Sequence, residues 1–281
     1  TVSTIETIVG GAGTDAVRIL GGGAVAVSEV DTVTGSTGTA DSVALLDATT
    51  NVIAVSAVES VVATNSASAD TVTMLSAGAL SVSGIDNVIG TTASTDSLRL
   101  ITAGDDVSVS AIDTVIGTGA GGADVVTMLA DNTLSVSALD SVIGSGGNDA
   151  VRMMGGGTLN VDLIDTVIGG TSTTDVVHLT STTSLSVSNV ETVQGTTDTT
   201  DAVRMLSAGT LATSAVDSVT GTSGNADILQ LAGSDGEAVS VSAIETVRGS
   251  AATDSVTLLA SGGIAVSGIE SVIGTSGADS L

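Results

Sequence analysis

One pattern recurs along the whole chain, an aliphatic-rich unit seen cleanly in Leu134 to Met154, LSVSALDSVIGSGGNDAVRMM. It can be anchored on an acid that follows an aliphatic residue: Glu6, Asp31, Glu59, Asp86, Asp113, Asp140, Asp165, Glu191, Asp217, Glu245 and Glu270. Repeats of this length mark arrays in which no unit can bury its apolar face alone, so each must stack on its neighbours. The expected fold is all-β: a parallel β-solenoid (β-helix) over residues 1–281, with about ten and a half coils of about 26 residues. Right-handed winding is the default for parallel connections.

Aligning the copies shows which positions share an environment. Four residues before the anchor is Val in ten of eleven copies, with Thr213 the exception. One before it is always aliphatic, from Ile5 to Ile269, and two after it Ile8 is followed by ten valines, Val33 to Val272. Three before the anchor is Ser in ten copies, and four after it is Gly in ten, Ala63 being the exception. Such a Gly column implies either a backbone angle or a close approach that a Cβ would forbid.

A second acid follows nine to eleven residues after the anchor and is always Asp: Asp15, Asp41, Asp70, Asp96, Asp124, Asp149, Asp175, Asp201, Asp227, Asp254 and Asp279. After it, aliphatic residues alternate with variable ones, the signature of a half-buried strand. Each coil therefore reads as three short strands, L-x-V-S, T-V-I-G and D-x-V-x-L, separated by Gly, Ser and Thr corners. Two further columns are apolar: three after the anchor (Val9, Val62, Ile89, Ile116, Ile143, Ile168, Ile273) and five after the second Asp (Leu20 to Leu259). Strict alternation puts at least one of them outside as an apolar stripe suited to a partner, whereas a flattened coil would bury both at its corners.

Composition removes many functions. The chain has no Phe, Tyr or Trp with which to stack sugars or bases. Its net charge of −26 opposes nucleic acid and anionic membranes. There is no Cys, and polar residues interrupt every apolar run, so no membrane span is expected. The single histidine, His178, falls in a variable outward column, which leaves no catalytic triad or zinc site and points away from an enzyme. The methionines, Met74, Met128, Met153, Met154 and Met205, read as core filler.

The turn before the second Asp carries the sharpest chemical signal. Gly10 to Arg18, GGAGTDAVR, and Gly144 to Arg152, GSGGNDAVR, resemble the nonapeptide of RTX (haemolysin-type calcium-binding) proteins. IESVIGTSGADSL, Ile269 to Leu281, is similar to the β-solenoid coils that flank such repeats in bacterial surface-layer proteins and adhesins. The resemblance implies calcium between stacked turns, held by Asp carboxylates and backbone carbonyls, with Asp124 and Asp149 the first candidates and Asp15 and Asp279 next. It also implies export by a type I system. The family's nonapeptides follow one another in tandem, however, two to a coil with a turn on each side, whereas here one such turn occurs per repeat. Many turns also lack the glycines, as in Thr91 to Asp96. The competing reading of each Asp is a cap on its own turn.

The expected function is that of a non-enzymatic extracellular structural solenoid, part of a bacterial surface filament, surface layer or adhesin, with calcium as a stabiliser. The alternatives are a calcium-responsive folding module, the stalk of a larger secreted protein and, as a minor reading from the Thr/Ser column after the anchor, an ice-binding face. The expected partner is a further copy of the chain, through end-to-end stacking or lateral contact. Neither end departs from the repeat, which suggests a fragment of a longer array or a subunit that stacks without caps.

Overall fold

The computed structural model describes every residue except 1–5, 39, 47–49, 65–68, 94, 120, 173, 182–183, 198–199 and 225, so Ile5 lies outside the described residues. The described residues contain 31 strands and no helix, in two compact units, Thr1–Gly147 and Asn148–Leu281. Each unit is a parallel β-solenoid.

The first strands are β1 (Thr7–Val9), β2 (Ala16–Arg18), β3 (Gly23–Ser28), β4 (Thr32–Thr34), β5 (Asp41–Leu45) and β6 (Val52–Ser56). β1 pairs with β3 and β3 with β5, while β2 pairs with β4 and β4 with β6, all parallel. Within each unit, odd strands form one sheet and even strands the other, and one turn consumes two strands. Gly23 faces Asp41 and Ser42 faces Ser60, so a turn takes about 18 residues, a solenoid repeat in its own right. This corrects the longer coil expected from the sequence period, and the turns are more numerous than ten and a half.

The physical reason lies in the sequence unit itself. Its three strand segments form as expected, but all three present the same alternating aliphatic face, so any of them fits either sheet. Two facing sheets already close a dry aliphatic layer, and the third segment begins the next turn. Two sequence units therefore wind into three turns, and a given motif lies in opposite sheets in successive copies. L-x-V-S, for example, is β3 in one sheet and β6 in the other.

The inward columns are buried as expected. Val33, Val43, Val61, Val72, Val88, Leu98 and Val115 in the first unit, and Val167, Val177, Val193, Leu229 and Val247 in the second, have no exposed surface. Thr213, the exception in the Val column, is also fully buried, and its Oγ1 has no hydrogen-bond partner.

The Gly column is explained by close approach. Two residues before each described anchor from Asp31 on, the chain turns through a left-handed residue, such as Ala57, Ala111, Leu163 or Ala215, with φ near 52–54°. An L-residue there costs about 1–2 kcal/mol, so stacking must impose it. The carbonyls of Ala57, Ala111 and Ala215 point at the Gly of the preceding copy. A Cβ on Gly35 would lie 1.7 Å from the Ala57 oxygen, and one on Gly195 1.9 Å from that of Ala215. The same glycines donate N–H bonds to the column Ser, Gly35 to Ser56 O and Gly195 to Ser214 O, both at 2.8 Å. Where the Gly column holds Ala63, the facing left-handed residue is itself a glycine, Gly84, and a Cβ added to Gly84 would lie 3.3 Å from the Ala63 oxygen.

Two substitutions test this packing in opposite directions. Gly195→Ala should destabilise by about 1–3 kcal/mol through the clash with a fixed backbone carbonyl. Thr213→Val, which replaces a buried unbonded hydroxyl with a methyl, should stabilise by about 1 kcal/mol. Denaturant unfolding followed by far-UV circular dichroism measures both.

Candidate functional site: the stacked aspartate corners

The second Asp column stands where the chain passes from a T-V-I strand into a D-x-V-x-L strand. Nine of its members, Asp41, Asp70, Asp96, Asp124, Asp149, Asp175, Asp201, Asp227 and Asp254, are at most 1% exposed. A buried carboxylate requires hydrogen bonds, and the corner supplies them. At Asp124, Oδ2 accepts the Thr118 N–H at 2.7 Å and the Thr118 hydroxyl at 2.8 Å, while Oδ1 accepts the Gly104 N–H of the preceding turn at 2.8 Å. Asp227 has the same arrangement with Thr222 and Gly209, and Asp96 with Thr91 and Gly78. The G-T/S dipeptide before each of these loops feeds the carboxylate.

The bonding continues to the following turn. The Asp124 N–H donates to the Asp140 carboxylate at 2.9 Å, and the Asp124 carbonyl accepts the Asp140 and Ser141 N–H groups. The same link joins Asp41 to Glu59, Asp96 to Asp113 and Asp201 to Asp217. At Asp41, Asp70, Asp96, Asp124, Asp227 and Asp254 the corner is thus a triplet on three successive turns: a first residue whose N–H caps the column Asp, the column Asp itself, and the anchor acid. The anchor acids are therefore part of the cap. Sequence reasoning missed this link, although its signal was present as a narrow range of offsets, 16 to 18 residues from column Asp to anchor.

The first residue of the triplet decides the electrostatics. It is Gly23, Asn51, Gly78 or Gly209 in several corners, and Asn51 also donates its side-chain N–H to Asp70 Oδ1 at 2.8 Å. In two of the described corners an acid stands opposite the column Asp, giving carboxylates on all three turns: Asp105–Asp124–Asp140, where the Asp105 N–H joins that of Gly104 on Asp124 Oδ1 at 3.3 Å, and Glu237–Asp254–Glu270. Burial raises the Asp105 carboxyl above its ordinary value, with Asp124 and Asp106 adding to the effect against the Gly84 N–H. Asp105 Oδ2 is buried with no hydrogen-bond partner, and so is Oδ1 of Asp175, another carboxyl raised by burial.

The four calcium candidates are placed by these same bonds. Asp124 is described above, and Asp149 donates its N–H to Asp165. Asp15 is half-buried, accepts the Gly11 N–H at 2.7 Å and donates to Asp31. Asp279 is exposed and accepts N–H and O–H bonds from Thr275. Calcium takes six to eight oxygens at about 2.3–2.6 Å. The bonded lone pairs of Asp15, Asp124 and Asp279 already point at N–H and O–H hydrogens, which a cation cannot share. Among the described residues no group of three or more His, Cys, Asp or Glu side chains is arranged to hold a metal ion. Successive column Asp residues also start strands of opposite sheets, as Asp96 and Asp124 do, so the acids brought together are one turn apart and not one sequence unit apart.

The outer surface is mostly Ser, Thr and Ala. One row of the first unit runs Ser42, Ser60, Ser81, Arg99 and Ile116, so the hydroxyl ladder is interrupted. His178 lies on such a face between Asn160 and Gln194. The column five after the second Asp does face outward: Leu20, Leu46, Leu75, Ile101, Leu129, Met154, Leu206 and Leu259 are all exposed, and Met154 is not core filler. Because the column alternates between sheets, each side carries one such residue every three strands, about 14 Å apart. The result is a dotted line and not a continuous stripe.

Compared with known protein families, curated proteins and solved structures, the chain matches none.

Removing one cap tests the role of the column. Asp227→Ala removes the acceptor of the half-buried Thr222 and Gly209 N–H groups and should destabilise by about 2–4 kcal/mol in denaturant unfolding. A loss below about 0.5 kcal/mol, the range of an ordinary surface change, would contradict a capping role.

Proposed function

We propose that the chain is a non-enzymatic structural β-solenoid of the kind used extracellularly in bacterial surface filaments, surface layers or adhesins, whose working element is the stacked array. The observation that carries this reading is the buried aspartate column. Its carboxylates, the strongest chemical groups of the chain, are engaged in joining one turn to the next. An outer surface of short hydroxyl and methyl side chains, with single aliphatic residues at regular intervals, suits an array whose role is to stack. The resemblance to coils that flank RTX repeats supports a secreted setting, and a turn of only two strands brings the chain closer to that family than its sequence period suggested.

A second reading, a calcium-responsive folding module, draws on one observation. Asp105 Oδ2 is buried, has no hydrogen-bond partner and belongs to a turn stacked on Asp124. A cation there would relieve two neighbouring carboxylates at once.

Chelation separates the two. On the structural reading, excess EGTA leaves the strand signal in circular dichroism and the thermal midpoint unchanged, because the caps are protein N–H and O–H groups. Loss of strand signal on chelation, restored by added calcium, would transfer the role to the metal.

A further inference from the structure

We propose that Glu237 is a proton-sensitive latch in the second unit, tightening the hold of its turn on both neighbouring turns as the pH falls from neutral. Glu237 immediately precedes the strand Ala238–Ser242 and joins three turns. Its Oε1 accepts the N–H of Ala215, the left-handed corner residue of the preceding turn, at 3.0 Å. Its own N–H donates to Asp254 Oδ1 on the following turn at 2.8 Å. Its carboxylate lies against Gly233, where an added Cβ would sit 2.0 Å from Oε1. The side chain is half-buried, and its position is held by Gly209 in the Asp227 corner and by Asn51 in the Asp70 corner.

The groups around Glu237 are of one sign. Asp254 faces it from the following turn and leads on to Glu270. Asp217, at the corner of the preceding turn, and Asp235, in its own loop, line the same groove. The other groove residues, among them Gln194, Thr196, Thr197, Ser214 and Ser234, are uncharged, and no Arg or His lines it among those described. Protonation of Glu237 leaves Oε1 free to accept from Ala215 while removing its repulsion with Asp254.

The sign follows from linkage. Burial, with Asp254 adding to it and the Ala215 N–H opposing, raises the Glu237 carboxyl above the ordinary 4.5. The folded chain therefore binds this proton more tightly than the unfolded chain does. Its contribution to stability rises as pH falls through the folded-state value and levels off below the unfolded one.

The test compares thermal unfolding of the parent and Glu237→Gln, which keeps an acceptor for Ala215 but carries no charge, at about pH 8 and about pH 4. At the higher pH the variant should melt about 2–4 °C above the parent, and the difference should vanish at the lower pH, where the parent carries the proton. A gain equal at both values, or a variant less stable than the parent at pH 8, would overturn the latch. Should Glu237→Gln not fold, a carbon-detected NMR titration of the Glu237 carboxyl in the parent decides. A midpoint above that of a free glutamate supports the proposal, and one at or below it refutes it.

Discussion

Turn-to-turn hydrogen bonding through the corners is the constraint on which everything else in each unit depends. Parallel strands satisfy one another along their lengths, but a corner leaves buried N–H and C=O groups that no neighbouring strand can reach. The aspartate column meets this demand. Its carboxylate collects donors from its own loop and from the preceding turn, and its backbone carbonyl accepts the two N–H groups of the following corner. The aliphatic layer drives collapse, yet it would tolerate many strand offsets. The caps select one, because a slip of a single residue would break them all.

The ratio of two sequence units to three turns has chemical consequences. Successive copies of a motif lie one and a half turns apart, so both sheets receive the same set of strands in rotation and neither becomes a specialised face. The exposed leucines are divided between two sides, and the hydroxyl rows are interrupted by Arg or Ile. The same rotation brings together acids from different sequence units. Glu237, Asp254 and Glu270 are three successive corner residues of one edge, although no repeat alignment places them in one column.

Among the corners, the two that begin with an acid are the departures from an otherwise regular cap. Asn51 shows how the regular form works, adding a side-chain donor to the Asp70 carboxylate. Asp105 and Glu237 put a charge there instead, and both reach back to the N–H of a left-handed corner residue, Gly84 and Ala215. The presence of a repulsive residue where Gly or Asn serves elsewhere is what makes these positions informative about function.

The class of fold, the inward aliphatic columns and the need for Gly four residues after the anchor in ten of eleven copies were legible in the sequence, because burial and close approach act on single columns and the chain repeats each column ten or eleven times. The period of the sequence does not determine the period of the winding. Three segments with the same alternation, such as L-x-V-S, T-V-I-G and D-x-V-x-L, carry no mark of which sheet they join. That choice depends on how many strands enclose a dry layer, which only the packed structure settles. The partners of each carboxylate follow from that choice, since Asp124 meets Asp140 and Gly104 only when a turn closes after two strands. The aspartates were visible in the sequence as a column, and tertiary stacking made them caps.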